Sequence, residues 1–226
     1  MITRKLRSLF TGHKTSIHTL SALRPGAVCG KLALRSAIIL LFLTALVTTS
    51  ARGAIATDAA VSKDNSTASA TITSPAFSTA TPNELLLALI ATDYISGTNT
   101  TVKSISGGGL TWTLVQRANA QSGSAEIWRA FATSTLSNVT VAATLSQSVV
   151  ASMTVMSFAG VNTSGSNGSG AIGAVGSKSA ASGAPTASLV STANNSWVMG
   201  VGNDYDNAVA RTLGTGQTLL HQYLTS

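Results

Sequence analysis

Residues 83–94 read NELLLALIATDY and form the densest apolar run outside the basic N-terminal region. The run follows Pro82 and ends at the polar cluster DYISG, residues 93–97, which is typical of a turn. Residues 85–91 are all apolar, which fits either a buried helix or a strand covered on both faces, and periodicity alone does not separate the two. The short length and the turn-forming flanks favour a strand. We therefore predict that it is the central strand of an antiparallel, two-sheet, jelly-roll-like β-sandwich.

The charge of the chain is concentrated at its N-terminus. The 226 residues carry a formal net charge of +7. Residues 1–56 hold eight Lys and Arg residues and no acid, whereas residues 57–226 hold six bases against seven acids, a net charge of −1. A basic nucleic-acid-binding surface is therefore not expected on the folded part, and we predict no nucleic-acid partner. The abundance of Ser, Thr, Ala, Gly and Val there favours an extracellular all-β module over long solvated helices.

The basic region 1–56 predicts an N-terminal leader with a helical signal or anchor segment. Its apolar run at residues 37–47 has the length of a signal-peptide core and is short of the roughly 20 residues that a membrane-spanning helix needs. Small residues at Ala54 and Ala56 predict cleavage after Ala56, and residues 49–51 offer a second cleavage site. The leader predicts secretion or association with the cell envelope. The alternative is an uncleaved membrane anchor, which would be the only contact of the chain with a membrane.

The rest of the chain divides into a polar segment, residues 57–65, predicted to be flexible, and a β-sandwich domain, residues 66–226. Short runs with turn signals between them, spaced about ten residues apart, predict a sandwich or barrel. The predicted strands after the central one are 102–105, 110–118, 125–132, 139–145, 149–159, 171–177, 187–191, 197–203, 209–213 and 217–224, and the first is 66–73. The Gly/Ser/Asn-rich residues 161–170 predict a flexible surface loop. Because the sequence stops at a predicted apolar strand, we expect the domain to lack its last strands, as a piece of a longer protein would.

Two of these strands predict a hairpin. Residues 110–118 place Leu110, Trp112 and Leu114 on one face at period two, and Ser122-Gly123 then separates them from residues 125–132. At such positions tryptophans pack in a core, and we assign Trp112 and also Trp197 to it. Glu126 lies on the second strand, with Arg117 and Arg129 near it in sequence, which predicts a cross-strand ion pair.

Several motifs resemble a known kind of protein. They are TPNELL at residues 81–86, GGLTWTLV at 108–115, AEIWRA at 125–130, WVMGVGND at 197–204 and TGQTL at 215–219. Residues 66–226 resemble uncharacterised, jelly-roll-like β-sandwich modules of secreted bacterial surface proteins, which occur beside immunoglobulin-like or fibronectin-type domains. The resemblance implies an extracellular module. It carries no catalytic residue and no cofactor.

The ends of two similar strands supply the candidate site residues. Residues 194–205, NNSWVMGVGNDY, repeat the plan of residues 83–94, so both strands end in Asp-Tyr. Asn203, Asp204, Asp206 and Asn207 offer oxygen ligands of the kind that calcium prefers, although a turn of Asx residues bound to their own backbone explains them without a metal.

Tyr94 and Tyr205, next to Asp93 and Asp204, predict an exposed rim that binds a polysaccharide or another cell-surface component. The predicted function is therefore a non-catalytic extracellular module with a structural, adhesive or carbohydrate-binding role.

Two alternatives remain open. A secreted hydrolase would use Asp93, Asp204 or Asp206 as acid and base, since glycoside hydrolysis needs two carboxylates across the sugar. A fragment of a longer surface protein would have no function of its own. Nucleophilic catalysis has little support, because residues 57–226 contain no Cys and a single histidine, His221, for which a strand-end or surface position is the simpler interpretation.

Overall fold

The computed structural model describes residues 2–5 and 53–225. The strands in that part of the chain are β1 (Ile2–Lys5), β2 (Ala56–Thr73), β3 (Glu84–Thr92), β4 (Val102–Gly107), β5 (Thr113–Ala118), β6 (Ser124–Ala132), β7 (Val141–Ala159), β8 (Trp197–Gly200) and β9 (Gln217–Leu219). A single turn of 3-10 helix, Ser169–Ala171, follows β7. All pairings between these strands are antiparallel, which confirms the predicted all-β antiparallel class.

The predicted helical leader rests on residues 37–47, which lie outside the described residues. Within the described part, the structure contains no helix with the length and apolarity to cross a membrane.

The strands form two sheets. The larger has six strands in the order β2-β7-β3-β6-β5, and β4 pairs with the first part of β7. The smaller has three strands in the order β8-β1-β9. In the larger sheet β3 lies between β7 and β6, with Leu87 opposite Met156 on one side and Arg129 on the other. The prediction that residues 85–91 form the central strand is therefore confirmed.

Both faces of β3 are buried, and alternate side chains enter two separate hydrophobic clusters. Leu86, Ala88 and Ile90 pack in the larger cluster, which also contains Trp112 and Trp128. The leucines at positions 85, 87 and 89 pack on the opposite face with Met156 and Phe158, where partly buried Trp197 and Met199 of β8 cover them. The indole of Trp197 lies edge-on to the ring of Phe158 with their centroids 6.1 Å apart. Trp112 is thus a core residue as predicted, and Trp197 is a partly buried one.

The start of β3 depends on its turn. Asn83 adopts a positive φ of 62° directly before Glu84, a conformation that Asn tolerates better than most residues. The bend at residues 80–83 therefore ends at Asn83, directly before the apolar run begins.

The predicted hairpin is present, because β5 pairs with β6 and Arg117 lies opposite Glu126. One detail differs from the prediction. Leu114 is 37% exposed, whereas Trp112 is buried and Leu110 packs against the larger cluster. The pairing of β5 with β6 shifts register between Leu114 and Gln116, so the alternation of residues 110–114 does not continue along the strand.

Residues 57–65 differ from the predicted flexible segment, because they form the first half of β2. This half pairs with β7 from Ala56 opposite Ala159 to Asn65 opposite Ala151. The polar side chains of this segment gave no indication of a strand, because the segment is stabilised by backbone pairing with the long strand β7. The two runs predicted at 139–145 and 149–159 are one strand, β7. Two of the register shifts between β2 and β7, both between Asn65 and Thr71, lie where the second partner of β7 changes from β4 to β3.

The C-terminal third has fewer strands than predicted. Residues 171–177, 187–191 and 209–213 contain no strand, and most of their side chains are exposed. Their Ala, Gly and Ser residues bury little apolar area, so pairing there has little packing to support it. The loop at 161–170 is held against the sheet, since the Asn167 side chain accepts a hydrogen bond from the Phe131 N–H and donates to the Thr111 carbonyl.

Candidate binding site

The candidate site lies where β3 ends and is named here the tyrosine rim: Asp93, Tyr94 and residues 203–207. The N–H of Asp93 donates to the Val150 carbonyl at 2.9 Å, which prolongs the pairing of β3 with β7 by one residue. The Asp93 Oδ1 then accepts the N–H of Tyr94 at 2.7 Å. This local hydrogen bond sets the direction in which the chain leaves the sheet and fixes the first tyrosine relative to it.

The loop 203–207 is attached to the same end of the sheet through Gly123, in the turn between β5 and β6. Gly123 has a φ of 80°, and a Cβ atom at this position would lie 2.3 Å from Nδ2 of Asn203 and 2.5 Å from the Thr92 carbonyl. The amide of Asn203 therefore packs directly on the glycine, beside the last residue of β3. A larger residue at position 123 would displace the loop, so the glycine is needed for space and for backbone conformation.

The two tyrosines meet at the rim, although they lie in different parts of the chain. The ring centroids of Tyr94 and Tyr205 are 5.9 Å apart, with an angle of 73° between the ring planes. This edge-to-face geometry is a favoured one for aromatic pairs. Tyr94 is half-buried and its hydroxyl donates to the Gly97 carbonyl at 3.2 Å, whereas Tyr205 is 47% exposed. The pair therefore presents one fixed ring and one accessible ring to solvent.

Gln147 of β7 organises the loop beside the rim. Its Oε1 accepts hydrogen bonds from the Ile95 N–H (3.2 Å) and the Thr100 hydroxyl (2.9 Å). Its Nε2 donates to the carbonyls of Ser96 (2.7 Å) and Thr98 (3.0 Å). Four hydrogen bonds from one side chain hold a loop that has no regular structure of its own. This role leaves no signal in the sequence, because position 147 falls between two predicted strands and carries no motif.

The proposed calcium ligands form an Asx turn. Oδ1 of Asp204 accepts the N–H groups of Asp206 and Asn207, both at 3.2 Å. Oδ2 of Asp204 pairs with the guanidinium of Arg211, which also donates to the Asn207 carbonyl at 3.2 Å. Both carboxylate oxygens of Asp204 thus have partners within the protein. Among residues 53–225, no three His, Cys, Asp or Glu side chains are grouped closely enough to hold a metal ion.

Asp204 and Asp93 each position the chain beside a tyrosine of the rim. Through the Asx turn and its pairing with the Arg211 guanidinium, Asp204 shapes the loop that carries Tyr205. Asp93 accepts the N–H of Tyr94 and fixes the chain there.

His221 lies at another place in the fold. Its Nε2 is 2.9 Å and 3.1 Å from the two carboxylate oxygens of Asp64 on β2. Both side chains are partly buried, so the pair attaches the C-terminal segment to the long strand β2. An open cavity of about 490 Å³ lies along the neighbouring residues 63–73 of β2, and no residue of the tyrosine rim lines it.

Comparison with protein families, curated proteins and solved structures found no match to this chain. The functional argument therefore rests on the geometry of the rim.

Proposed function

We propose that the chain is a non-catalytic, extracellular or envelope-associated β-sandwich module that binds carbohydrate at the tyrosine rim. The observation that carries the proposal is the fixed edge-to-face pair of Tyr94 and Tyr205, with the second ring about half exposed. An aromatic ring with an apolar face and a polar edge suits the alternating apolar and hydroxyl surfaces of a sugar. Asp93, Asn203 and the exposed Asp206 and Asn207 add polar groups around the rings.

Support for the sandwich part comes from the second hydrophobic cluster, where Trp197 and Met199 of the smaller sheet cover the outer face of β3. The motifs at residues 81–86 and 108–115 support an extracellular surface module. The basic leader supports export or anchoring at the envelope. Passive display of loops by a rigid scaffold requires no catalytic group, and it leaves a structural or adhesive role compatible with the same surface.

The chain offers a matched test, because it contains three tyrosines and two of them form the rim. Binding of the wild-type full chain to a β-glucan, a xylan, chitin oligomers and an alginate would be measured by affinity electrophoresis and calorimetry. We expect Tyr205→Ala to weaken binding about tenfold, the equivalent of roughly 1.4 kcal/mol. Tyr94→Ala should weaken it at least as much, since Tyr94 supports the exposed ring. The control is Tyr223→Ala, which changes the third tyrosine and should leave binding unchanged.

Three outcomes would overturn the proposal. Absence of binding to every polysaccharide in the panel would remove the carbohydrate assignment. Binding that survives both rim substitutions would place the site elsewhere. Release of reducing ends by the wild type, lost in Asp93→Asn, would favour the hydrolase. A melting temperature for each variant separates loss of the site from loss of the fold.

A further inference from the structure

A second place in the molecule brings the buried carboxyl group of Glu84 next to the carboxyl group of the exposed residue Asp58, and among the described residues no cation pairs with either. Glu84, the first residue of β3, is fully buried. Its Oε1 accepts a hydrogen bond from the Thr81 hydroxyl at 2.6 Å. Its Oε2 is buried as well and has no hydrogen-bond donor among the described residues. The group next to it is the carboxylate of Asp58 on β2, which is itself an acceptor.

A bulge in β2 aims Asp58 at this position. The register between β2 and β7 shifts between Thr57 and Ala60, so the two residues between them leave the regular ladder. The Ala59 N–H donates to the hydroxyl of Ser157 on β7 at 3.0 Å, and Oδ2 of Asp58 accepts the Ala80 N–H at 2.5 Å. Bulges commonly re-aim side chains in this way. The start of β2 is therefore held by side-chain hydrogen bonds in addition to backbone pairing.

The groups around the two carboxyl groups indicate whether a metal ion or a proton lies between them. The groups that point at Asp58 and Glu84 are donors: the N–H groups of Ala80 and Thr81 and the hydroxyls of Thr81 and Ser157. A calcium ion needs six to eight oxygen ligands, whereas two of the groups that face the pair are N–H groups, which cannot be ligands. A single proton requires only one donor and one acceptor. Protonation of Oε2 of Glu84 would make it a donor towards Asp58.

We propose that Glu84 and Asp58 share one proton and form a pH-sensitive clasp, which fastens the bulged start of β2 to the start of β3. The charged group that faces Glu84 is Asp58 from β2. Ser157 from β7 and Thr81 from the preceding turn contribute hydroxyls, and Ala132 lies opposite Glu84 on β6.

The electrostatic environment supports the clasp. Burial raises the pKa of Glu84 above its ordinary value of 4.5, and the hydrogen bond and negative charge of Asp58 raise it further, against the opposing effect of the Thr81 and Ser157 hydroxyls. The Ala80 N–H and the hydrogen bond with Glu84 lower the pKa of Asp58 from 3.8. When the pKa values of two interacting carboxyl groups are shifted apart in this way, the pair holds one proton over the pH range between the two values.

The sign of the pH dependence follows from these directions. The folded protein keeps the proton on Glu84 to a higher pH than the unfolded chain does. The stability from Glu84 is therefore complete below pH 4.5 and is lost as the pH rises through its raised pKa. The stability from Asp58 is present above pH 3.8 and is lost as the pH falls through its lowered pKa. The clasp is closed in weak acid and opens as the pH rises.

The chain permits a direct test, because Glu84 and Glu126 are its only glutamates. Selective ¹³C labelling of glutamate in the full chain gives two side-chain carboxyl signals, and Glu84→Gln assigns them by removing one. We expect the Glu84 signal to titrate with a midpoint above 4.5 and to move to lower pH in Asp58→Asn, which removes the like charge. A midpoint at or below 4.5, or one unaffected by Asp58→Asn, would overturn the clasp.

A second measurement follows the consequence for folding. In urea unfolding between pH 4 and pH 9, wild type should lose stability relative to Glu84→Gln as the pH rises, since glutamine keeps a donor towards Asp58 without a charge. Asp206→Asn, a change of an exposed carboxylate, should follow wild type. Equal pH profiles for wild type and Glu84→Gln would contradict the proposal. If the Glu84 signal moves on addition of calcium chloride, a bound cation and not a shared proton would connect the two carboxyl groups, and the proposal would be wrong.

Discussion

Glu84 and Glu126 are both fully buried in the same sheet, yet their surroundings are opposite. Around Glu126, Oε1 accepts the Val102 N–H at 2.8 Å and the Ser124 hydroxyl at 2.9 Å, and Oε2 accepts the Trp128 indole N–H at 2.8 Å. The Arg117 guanidinium contacts both oxygens, with Nε at 2.8 Å and a terminal nitrogen at 3.0 Å. Glu84 has the hydroxyls of Thr81 and Ser157 near it and faces a second carboxylate, that of Asp58.

The two glutamates show two ways in which a protein offsets the free-energy cost of burying a carboxyl group. Removing a carboxylate from water is unfavourable unless donors or a cation replace the hydration shell, and otherwise the group takes up a proton. Glu126 follows the first route and ties together β4, β5 and β6. Glu84 follows the second, in a place where the neighbouring strand supplies an acid. The first route gives a permanent connection, whereas the second makes the connection depend on pH.

The largest effect should come from removing the cation that distinguishes the two sites. The Arg117 side chain is 28% exposed and that of Glu126 is not exposed. We expect Arg117→Met to lower the free energy of unfolding by about 3–5 kcal/mol, because it leaves a buried carboxylate without its partner. Urea unfolding followed by tryptophan fluorescence measures this loss.

Arg129→Met is the matched control for this change. Arg129 lies on the strand next to β5, and its guanidinium donates to the Asn167 carbonyl instead of to a carboxylate. Removal of this hydrogen bond should lower the free energy of unfolding by about 1 kcal/mol or less. Similar losses for the two arginines would mean that the ion pair with Glu126 carries little stability.

An intermediate effect should follow from removing one donor at Glu126 and leaving the cation. We expect Trp128→Phe to cost about 1.5–3 kcal/mol, the usual range for a hydrogen bond to a charged group, since phenylalanine retains most of the packing in the larger cluster. The loss should be smaller than that of Arg117→Met, because the Arg117 guanidinium still contacts both carboxylate oxygens. Equal losses of unfolding free energy in the two variants would show that the indole N–H is as important as the guanidinium.

The sequence predicted one of these two sites and not the other, for a physical reason. Arg117 and Glu126 belong to a hairpin with a short turn, so local alternation and turn residues place them opposite each other. Asp58 and Glu84 meet only because a bulge displaces two residues of β2. No local pattern marks that bulge, and the segment around Asp58 was predicted to be flexible.

The same distinction applies to the fold and to the tyrosine rim. The densely apolar run of β3 fixes its own structure, whereas the small-residue segments 171–177 and 187–191 depend on neighbours that the sequence does not specify. Repetition of Asp-Tyr after two apolar strands identified Tyr94 and Tyr205 as rim residues. The parts that hold them there, Gly123 and Gln147, act through close packing and loop hydrogen bonds that leave no pattern in the sequence.

The smallest predicted effect compares single hydroxyl donors at the two glutamates. Thr81→Val removes the hydrogen bond to Glu84 and should cost about 0.5–1.5 kcal/mol at neutral pH. The cost should be smaller in weak acid, because the Thr81 hydroxyl stabilises the ionised form and its loss raises the pKa of Glu84 further. Thr81→Ser keeps the donor and should behave as wild type. Ser124→Ala makes the equivalent change at Glu126, where a guanidinium and two N–H donors remain, so we expect it to lower the free energy of unfolding by less than Thr81→Val does. The opposite order would mean that hydroxyl donors matter more at the ion-paired glutamate than at the clasp.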